Sequence, residues 1–99
     1  MYYTYLLRCR DGSLYAGITT DLHRRYREHR EGGKKGAKYT RAHPPLSCAA
    51  AWLLPDRASA SRLEARLKKL SHREKEAAAA FGLPGYEAAA PAVLREAEA

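Results

Sequence analysis

Asparagine and glutamine are missing from all 99 residues of the chain. Both are thermolabile side chains, so their absence is compatible with a thermophilic or high-GC source. Cysteine is scarce: Cys9 and Cys48 lie far apart and lack CxxC or Cys/His spacing. That pattern argues against a zinc site and a secreted disulfide scaffold, and leaves two buried thiols. No apolar run approaches the ~20 residues that span a bilayer, and no charged leader precedes an apolar stretch at Met1-Tyr2-Tyr3. The expectation is a cytoplasmic protein with no membrane association. There is no internal repeat. A chain of this length supports one hydrophobic core without staples and is too short for two.

What the chain has in excess is positive charge, +7 overall and unevenly placed. Residues 1–54 hold ten Lys and Arg against four Asp and Glu, whereas residues 55–99 hold eight against seven. The basic surface therefore belongs to the N-terminal half. Such a surface concentrates polyanions, and nucleic acid is the commonest polyanion a cytoplasmic domain meets. The competing reading is a charged surface kept for solubility.

Residues 2–9 are rich in Tyr, Thr and Leu and are followed by Asp11-Gly12, a strong hairpin signal, with Leu14 to Ile18 as the returning strand. A two-residue turn would put Tyr5 and Tyr15 on opposite faces. A three-residue loop, Arg10-Asp11-Gly12, closing in a glycine bulge puts Tyr5 opposite Gly17 and Tyr15 opposite Leu7, so that both tyrosines share a face. The second is preferred because Gly12 then takes the left-handed position. Gly17 becomes a gap beside Tyr5 where a backbone or a ligand can approach.

Thr20 or Asp21 caps a helix that runs to about Glu31 and stops at Gly32-Gly33. Leu22, Arg25, Tyr26 and His29 share one face of it, while Arg24, Arg27 and Arg30 form a solvated rim. Residues 32–45 make a long connection carrying Lys34, Lys35, Lys38, Tyr39, Arg41 and His43. Cations interleaved with an aromatic suit a surface that tracks a nucleic-acid strand; a merely mobile basic loop is the alternative. Leu46 to Leu54 reads as a third strand ended by Pro55-Asp56. Ala60, Leu63, Leu67 and Leu70 keep helical spacing, and Ser71-His72-Arg73-Glu74 has capping-box form, so two helices follow. Glu64 lies beside the apolar stripe, where it would either act chemically or pair with Lys68. The second of these helices ends near Gly82. Residues 1–82 form the domain, and residues 83–99 are an alanine-rich tail with a short helix after Pro91.

The expected fold class is α+β: a three-stranded antiparallel sheet, first strand central, flanked by helices in the order strand, strand, helix, strand, helix, helix. With Tyr3-Thr4-Tyr5 and Tyr15-Ala16-Gly17 on the two hairpin strands, Arg25 ten residues after Tyr15, His29 a turn later and Glu64 within Leu-Glu-Ala-Arg-Leu-Lys-Lys-Leu, the chain resembles the GIY-YIG nuclease family over about residues 2–75. Gly36-Ala37-Lys38-Tyr39-Thr40 further resembles its small single-domain branch, related to a branch that cuts branched DNA. The resemblance implies phosphodiester hydrolysis with one Mg²⁺ or Mn²⁺ ion and a nucleic-acid substrate, DNA favoured over RNA. It also implies that Tyr5 orients or deprotonates water, Tyr15 holds phosphate or water, and Arg25 stabilises phosphoryl charge. His29 would assist proton transfer and Glu64 would bind the metal. Tyrosine, with a pKa near ~10, needs cationic neighbours to serve as a base. The family often places an Asn near the end of the domain, and this chain has none. A catalytically silent binding module with the same fold is the rival expectation.

Overall fold

A single turn sets the register of the sheet. In the computed structural model, which describes all 99 residues, Gly12 takes φ 87° and its N–H donates to the Cys9 carbonyl at 2.9 Å. Cys9 N–H donates to the Ser13 carbonyl at 2.9 Å, and the Asp11 carboxylate accepts from Ser13 N–H at 3.0 Å. This is the three-residue loop with its glycine bulge. Strands β1 (Tyr2–Cys9) and β2 (Leu14–Thr19) consequently pair with Tyr5 opposite Gly17 and Leu7 opposite Tyr15.

Helix α1 (Leu22–Glu31) starts at Asp21, whose carboxylate accepts from Arg24 N–H, and ends at Gly32 with φ 75°. The connection that follows is not wholly irregular: it contains a five-residue helix, α2 (Lys38–Ala42). Strand β3 (Pro45–Leu54) then pairs antiparallel with β1. Helix α3 (Arg57–Lys68) is capped by Asp56. Helix α4 (His72–Phe81) begins with the complete Ser71/Glu74 capping box and stops at Gly82. No helix is long and apolar enough to cross a membrane.

The expected three strands are in fact four, in the order β2-β1-β3-β4. The fourth, β4 (Glu87–Ala88), has two residues, opposite Leu53 and Trp52, and is extended by Ala89 N–H donating to the Ala51 carbonyl at 2.8 Å. A two-residue strand in an alanine-rich stretch has no alternation to reveal it. Helix α5 (Pro91–Glu98) follows, packs on α1 and β3, and delivers the Glu98 carboxylate to Cys48 N–H at 2.6 Å.

The sheet is thereby covered on both sides. Leu6, Leu14, Ala16, Ala50, Trp52 and Leu54 pack against Ala60, Leu63 and Leu67 of α3 and Ala78 of α4. Each fully buried leucine there contributes about 1.5–3 kcal/mol. The Thr4 hydroxyl ties β1 to this layer by donating to the Ala60 carbonyl at 2.9 Å, and Arg8 reaches Glu76 of α4 with two bonds of 2.6 and 2.7 Å. On the other face Tyr5, Leu7, Cys48 and Ala51 meet Leu22 and Tyr26 of α1 and Ala97 of α5. Both cysteines are buried free thiols, and burial pushes the Cys48 thiol up to about 12.

Candidate active site

Strand alternation sends Tyr5 and Tyr15 to the face covered by α1, and helical spacing turns Arg25 and His29 toward them. The Tyr5 hydroxyl lies 2.8 Å from His29 Nε2, and His29 Nδ1 lies 2.7 Å from Thr40 Oγ1. Thr40 Oγ1–H donates in turn to the Ala37 carbonyl at 3.1 Å. Because a hydroxyl has one proton, Thr40 accepts from His29, which fixes the ring as the Nδ1–H tautomer. His29 Nε2 is left as the acceptor for the Tyr5 hydroxyl. The three side chains are 2, 0 and 1 % exposed, so this chain of bonds is shielded from competing water.

Gly17 is what lets Tyr5 lie there. A Cβ on residue 17 would stand 2.4 Å from the Tyr5 hydroxyl oxygen and 2.6 Å from its Cζ, so the phenol occupies the volume that any side chain would need. Tyr15, across from Leu7, sets its ring edge-on to His29 at 5.4 Å between centroids and stacks on Tyr39 at 5.7 Å.

Charge around the relay is asymmetric. Arg25 donates to Glu28 at 2.9 Å and to the Lys35 carbonyl. Burial opposes its charge, yet Glu28 and Tyr5 hold its affinity for the proton above the ordinary value. Burial, followed by the Arg25 charge, pushes His29 down to about 4, so the ring is neutral at pH 7. Tyr5 shifts the other way. Its phenol is raised, because burial outweighs the lowering effect of the Arg25 guanidinium. Tyr5 is therefore protonated in the free protein, and cationic neighbours do not make it a phenolate.

Glu64 approaches from the other layer. Helix α3 packs on β2 and β1 from the opposite face, and the Glu64 charge is felt at the Tyr5 phenol, whose ionisation it opposes. Its side chain is 25 % exposed and pairs with Lys68 at 3.6 Å. Nowhere do three or more His, Cys, Asp or Glu side chains converge as a metal cage. A single carboxylate completed by waters and a phosphate would suit a hard divalent cation, which keeps most of its waters. A closed zinc-type site would not fit.

The segment of residues 32–45 is brought to the site in part. Lys34, Lys35, Lys38 and Arg41 are exposed. The Arg41 guanidinium donates to the Gly33 carbonyl at 3.1 Å. Tyr39 is fixed rather than free, packed with Tyr15 and with His43 at 4.6 Å, its hydroxyl bonded to Ser13. Sequence reasoning missed Thr40. The signal was present in Gly36-Ala37-Lys38-Tyr39-Thr40, but a lone threonine in a basic stretch gives no sign of a histidine partner eleven residues earlier.

A tyrosine and a neutral histidine sharing a proton, an arginine beside them and a carboxylate arriving from another helix form a site suited to activating water against a phosphate. The GIY-YIG catalytic domain matches residues 1–77, and the chain belongs to that family. The domain is typically that of an endonuclease; its nucleases generally use divalent metal ions and it implies a nucleic-acid substrate. The chain is 54 % identical over 74 residues to the UPF0213 protein XAC3202 of Xanthomonas axonopodis pv. citri, spanning 75 % of this chain and 71 % of that protein. It is 48 % identical over 75 residues to the UPF0213 protein BH0048 of Halalkalibacterium halodurans, spanning 76 % and 78 %. The solution NMR structure of the UPF0213 protein BH0048 from Bacillus halodurans is similar with a TM-score of 0.50 at 45 % identity, over 85 % of this chain and 89 % of that one.

Proposed function

We propose that this protein is a divalent-metal-dependent, structure-specific endonuclease that hydrolyses phosphodiester bonds in DNA, with Mg²⁺ or Mn²⁺ as the ion. The observation that carries the reading is the buried hydrogen-bond chain from Tyr5 through His29 to Thr40, adjoining Arg25 and Glu64. A structural tyrosine needs one hydrogen-bond partner, not an oriented neutral imidazole with a second partner behind it.

In this mechanism the attacking water gives its proton to the Tyr5 oxygen as the Tyr5 proton passes to His29 Nε2. The P–O bond to the water oxygen forms while the bond to the leaving oxygen breaks, and solvent protonates the leaving oxygen. His29, held near 4 in the free protein by burial and by Arg25, becomes a better acceptor once a phosphodiester anion neutralises Arg25. Arg25 stabilises the charge that accumulates on the non-bridging oxygens, and Tyr15 orients water or phosphate at the mouth. Glu64 would hold the ion, which when bound supplies positive charge to the phosphate and leaving oxygen.

The Glu64–Lys68 pair favours a second reading, a binding module without activity, because it gives Glu64 a structural role. Incubating the protein with duplex, single-stranded, flap and branched DNA and with RNA, in Mg²⁺, Mn²⁺ and chelator, separates the two. Metal-dependent cleavage of DNA supports the nuclease, and retained binding with no cleavage of any substrate decides for the module.

A further inference from the structure

Arg57, Glu64 and Lys68 fall at i, i+7 and i+11 along α3, which places them on one helical face with a cation at either end of the carboxylate. The two cations enter different hollows. Arg57 lines one of about 290 Å³ together with Arg24, Arg25 and Thr20. Lys68 lines another of about 300 Å³ together with Lys75, Tyr15 and Tyr39. Each hollow is bounded by one residue of the candidate active site, Arg25 in the first and Tyr15 in the second, so the site lies between them.

Neither hollow balances its own charge. Glu28 is the one carboxylate lining the first, and it is already 2.9 Å from Arg25 and 4.0 Å from Arg24. No carboxylate lines the second, where Glu64 pairs with Lys68 at 3.6 Å from outside the lining and leaves Lys75 uncompensated. Arg57 and Lys75 have no ion-pair partner within 4.0 Å, although Lys75 is half-buried. Cations in excess of acids around a concave surface focus a positive field outward. Solubility alone is served equally well by cations outside both hollows, such as the exposed Lys69 and Arg73.

We propose that the two hollows are subsites for the phosphates on either side of the scissile one, so that the nucleic-acid strand runs along the α3 stripe from Arg57, past Glu64, to Lys68. This rests on the nuclease reading for the word scissile, while the strand path itself requires only that nucleic acid binds. Arg24 and Arg57 hold the backbone at one end, and Lys68 and Lys75 at the other. Tyr39, fixed by Tyr15 and Ser13, is a wall of the second hollow and not a swinging platform for a base.

The test is the salt dependence of binding of a fluorescent twelve-nucleotide strand and of a flap duplex, read by anisotropy with Ca²⁺ in place of Mg²⁺. Three double variants each remove two charges: Arg24→Ala/Arg57→Ala, Lys68→Ala/Lys75→Ala, and the control Lys69→Ala/Arg73→Ala. Each lost phosphate contact lowers the slope of log K against log salt by about 0.7–0.9. The first two variants are expected to lose about 1.5 units of slope and the control less than about 0.5. Equal losses in all three, or no binding by the parent, would overturn the track. Cleavage by the parent in Mg²⁺ tests the nuclease reading separately: a track that binds as expected on a protein that cuts nothing survives, and a cutting protein with three equal slopes does not use it.

Discussion

The two faces of the sheet are built from the same strands but from different chemistry. The face under α3 and α4 is filled by leucine, alanine and tryptophan, with Thr4 as its inward-bonded polar group. The face under α1 buries Tyr5, His29 and Thr40 in place of aliphatic side chains. Apolar residues of similar volume would stabilise that second layer at least as well, since buried hydrogen bonds contribute only about 1 kcal/mol net and are costly when one partner is missing. The polar layer is thus where stability and chemistry diverge, and perturbing the two faces should separate them.

The largest separation is expected at Glu64, which belongs by position to the apolar layer and by charge to the polar one. Glu64→Gln keeps shape and removes the charge proposed to hold the metal. Metal-dependent cleavage should fall more than about a hundredfold, beyond the tenfold to hundredfold typical when only a ligand's outer support is lost. Melting temperature and DNA binding should stay near those of the parent. Cleavage at the parental rate would show that Glu64 serves only Lys68.

Next comes Gly17, where the polar layer depends on an absence. Gly17→Ala places a methyl inside the Tyr5 phenol, 2.4 Å from its oxygen, and neighbours of that kind do not yield without moving the ring. Overpacking of this sort costs about 1–3 kcal/mol. A displacement of about 1 Å in a catalytic group can cost a hundredfold in rate. Urea denaturation and single-turnover cleavage should both register the change. Ala16→Gly, the neighbouring small residue facing the apolar layer, should lower stability with little effect on rate.

Thr40→Val tests the far end of the relay at nearly constant volume. It leaves His29 Nδ1–H without its acceptor in a fully buried place, at a cost of about 1–3 kcal/mol, and frees the ring to adopt the other tautomer, which cannot accept from Tyr5. Cleavage should drop roughly tenfold to a hundredfold, a range typical for second partners of a functional histidine. Thr40→Ser, which keeps the hydroxyl, should recover most of it. A valine variant with parental rate and stability would remove Thr40 from the relay.

The same layer should show itself in pH. The His29 pKa falls from an ordinary 6.5 to about 4 on folding, so between those values the unfolded chain binds a proton that the folded one refuses. Stability therefore rises with pH across that window, and is lost as pH falls from about 6.5 towards 4. Between pH 4.5 and 7 the effect is worth about 2 kcal/mol. Chemical denaturation at pH 4.5 and 7 should reveal it, and His29→Phe should flatten it. An unchanged slope in that variant would mean another group carries the titration.

What could be read from the sequence follows the same division. Periodicity and turn chemistry act within a few residues, so the hairpin register, the Ser71 cap and the helix ends at Gly32 and Gly82 are legible in the sequence, and the first cap is narrowed to Thr20 or Asp21, of which the fold uses Asp21. The two-residue β4 was not, because a strand that short has no period. The Tyr5–His29–Thr40 chain spans 35 positions through three elements, and the segment that holds Thr40 carries a signal that does not single out the threonine. The direction of the Tyr5 shift is not legible in the sequence for a related reason: charge neighbours can be read from the chain, whereas burial, which wins, is a property of the packed layer.

The smallest effect is expected in the exposed basic segment, and it tests whether that segment belongs to the site or merely adjoins it. Lys35 serves Arg25 through its backbone carbonyl, which alanine retains, and Arg41 contributes one exposed bond to Gly33. Lys34→Ala/Lys35→Ala/Lys38→Ala/Arg41→Ala should therefore change stability by less than about 0.5 kcal/mol. Where these side chains meet phosphates, binding should weaken alike for every sequence and the salt slope should flatten, by less per charge than at Arg57 or Lys68, because all four are exposed and line neither hollow. A flattening per charge as large as in the hollows would shift the strand path from α3 to this segment. An unchanged slope would leave the segment one task, holding Thr40 against His29.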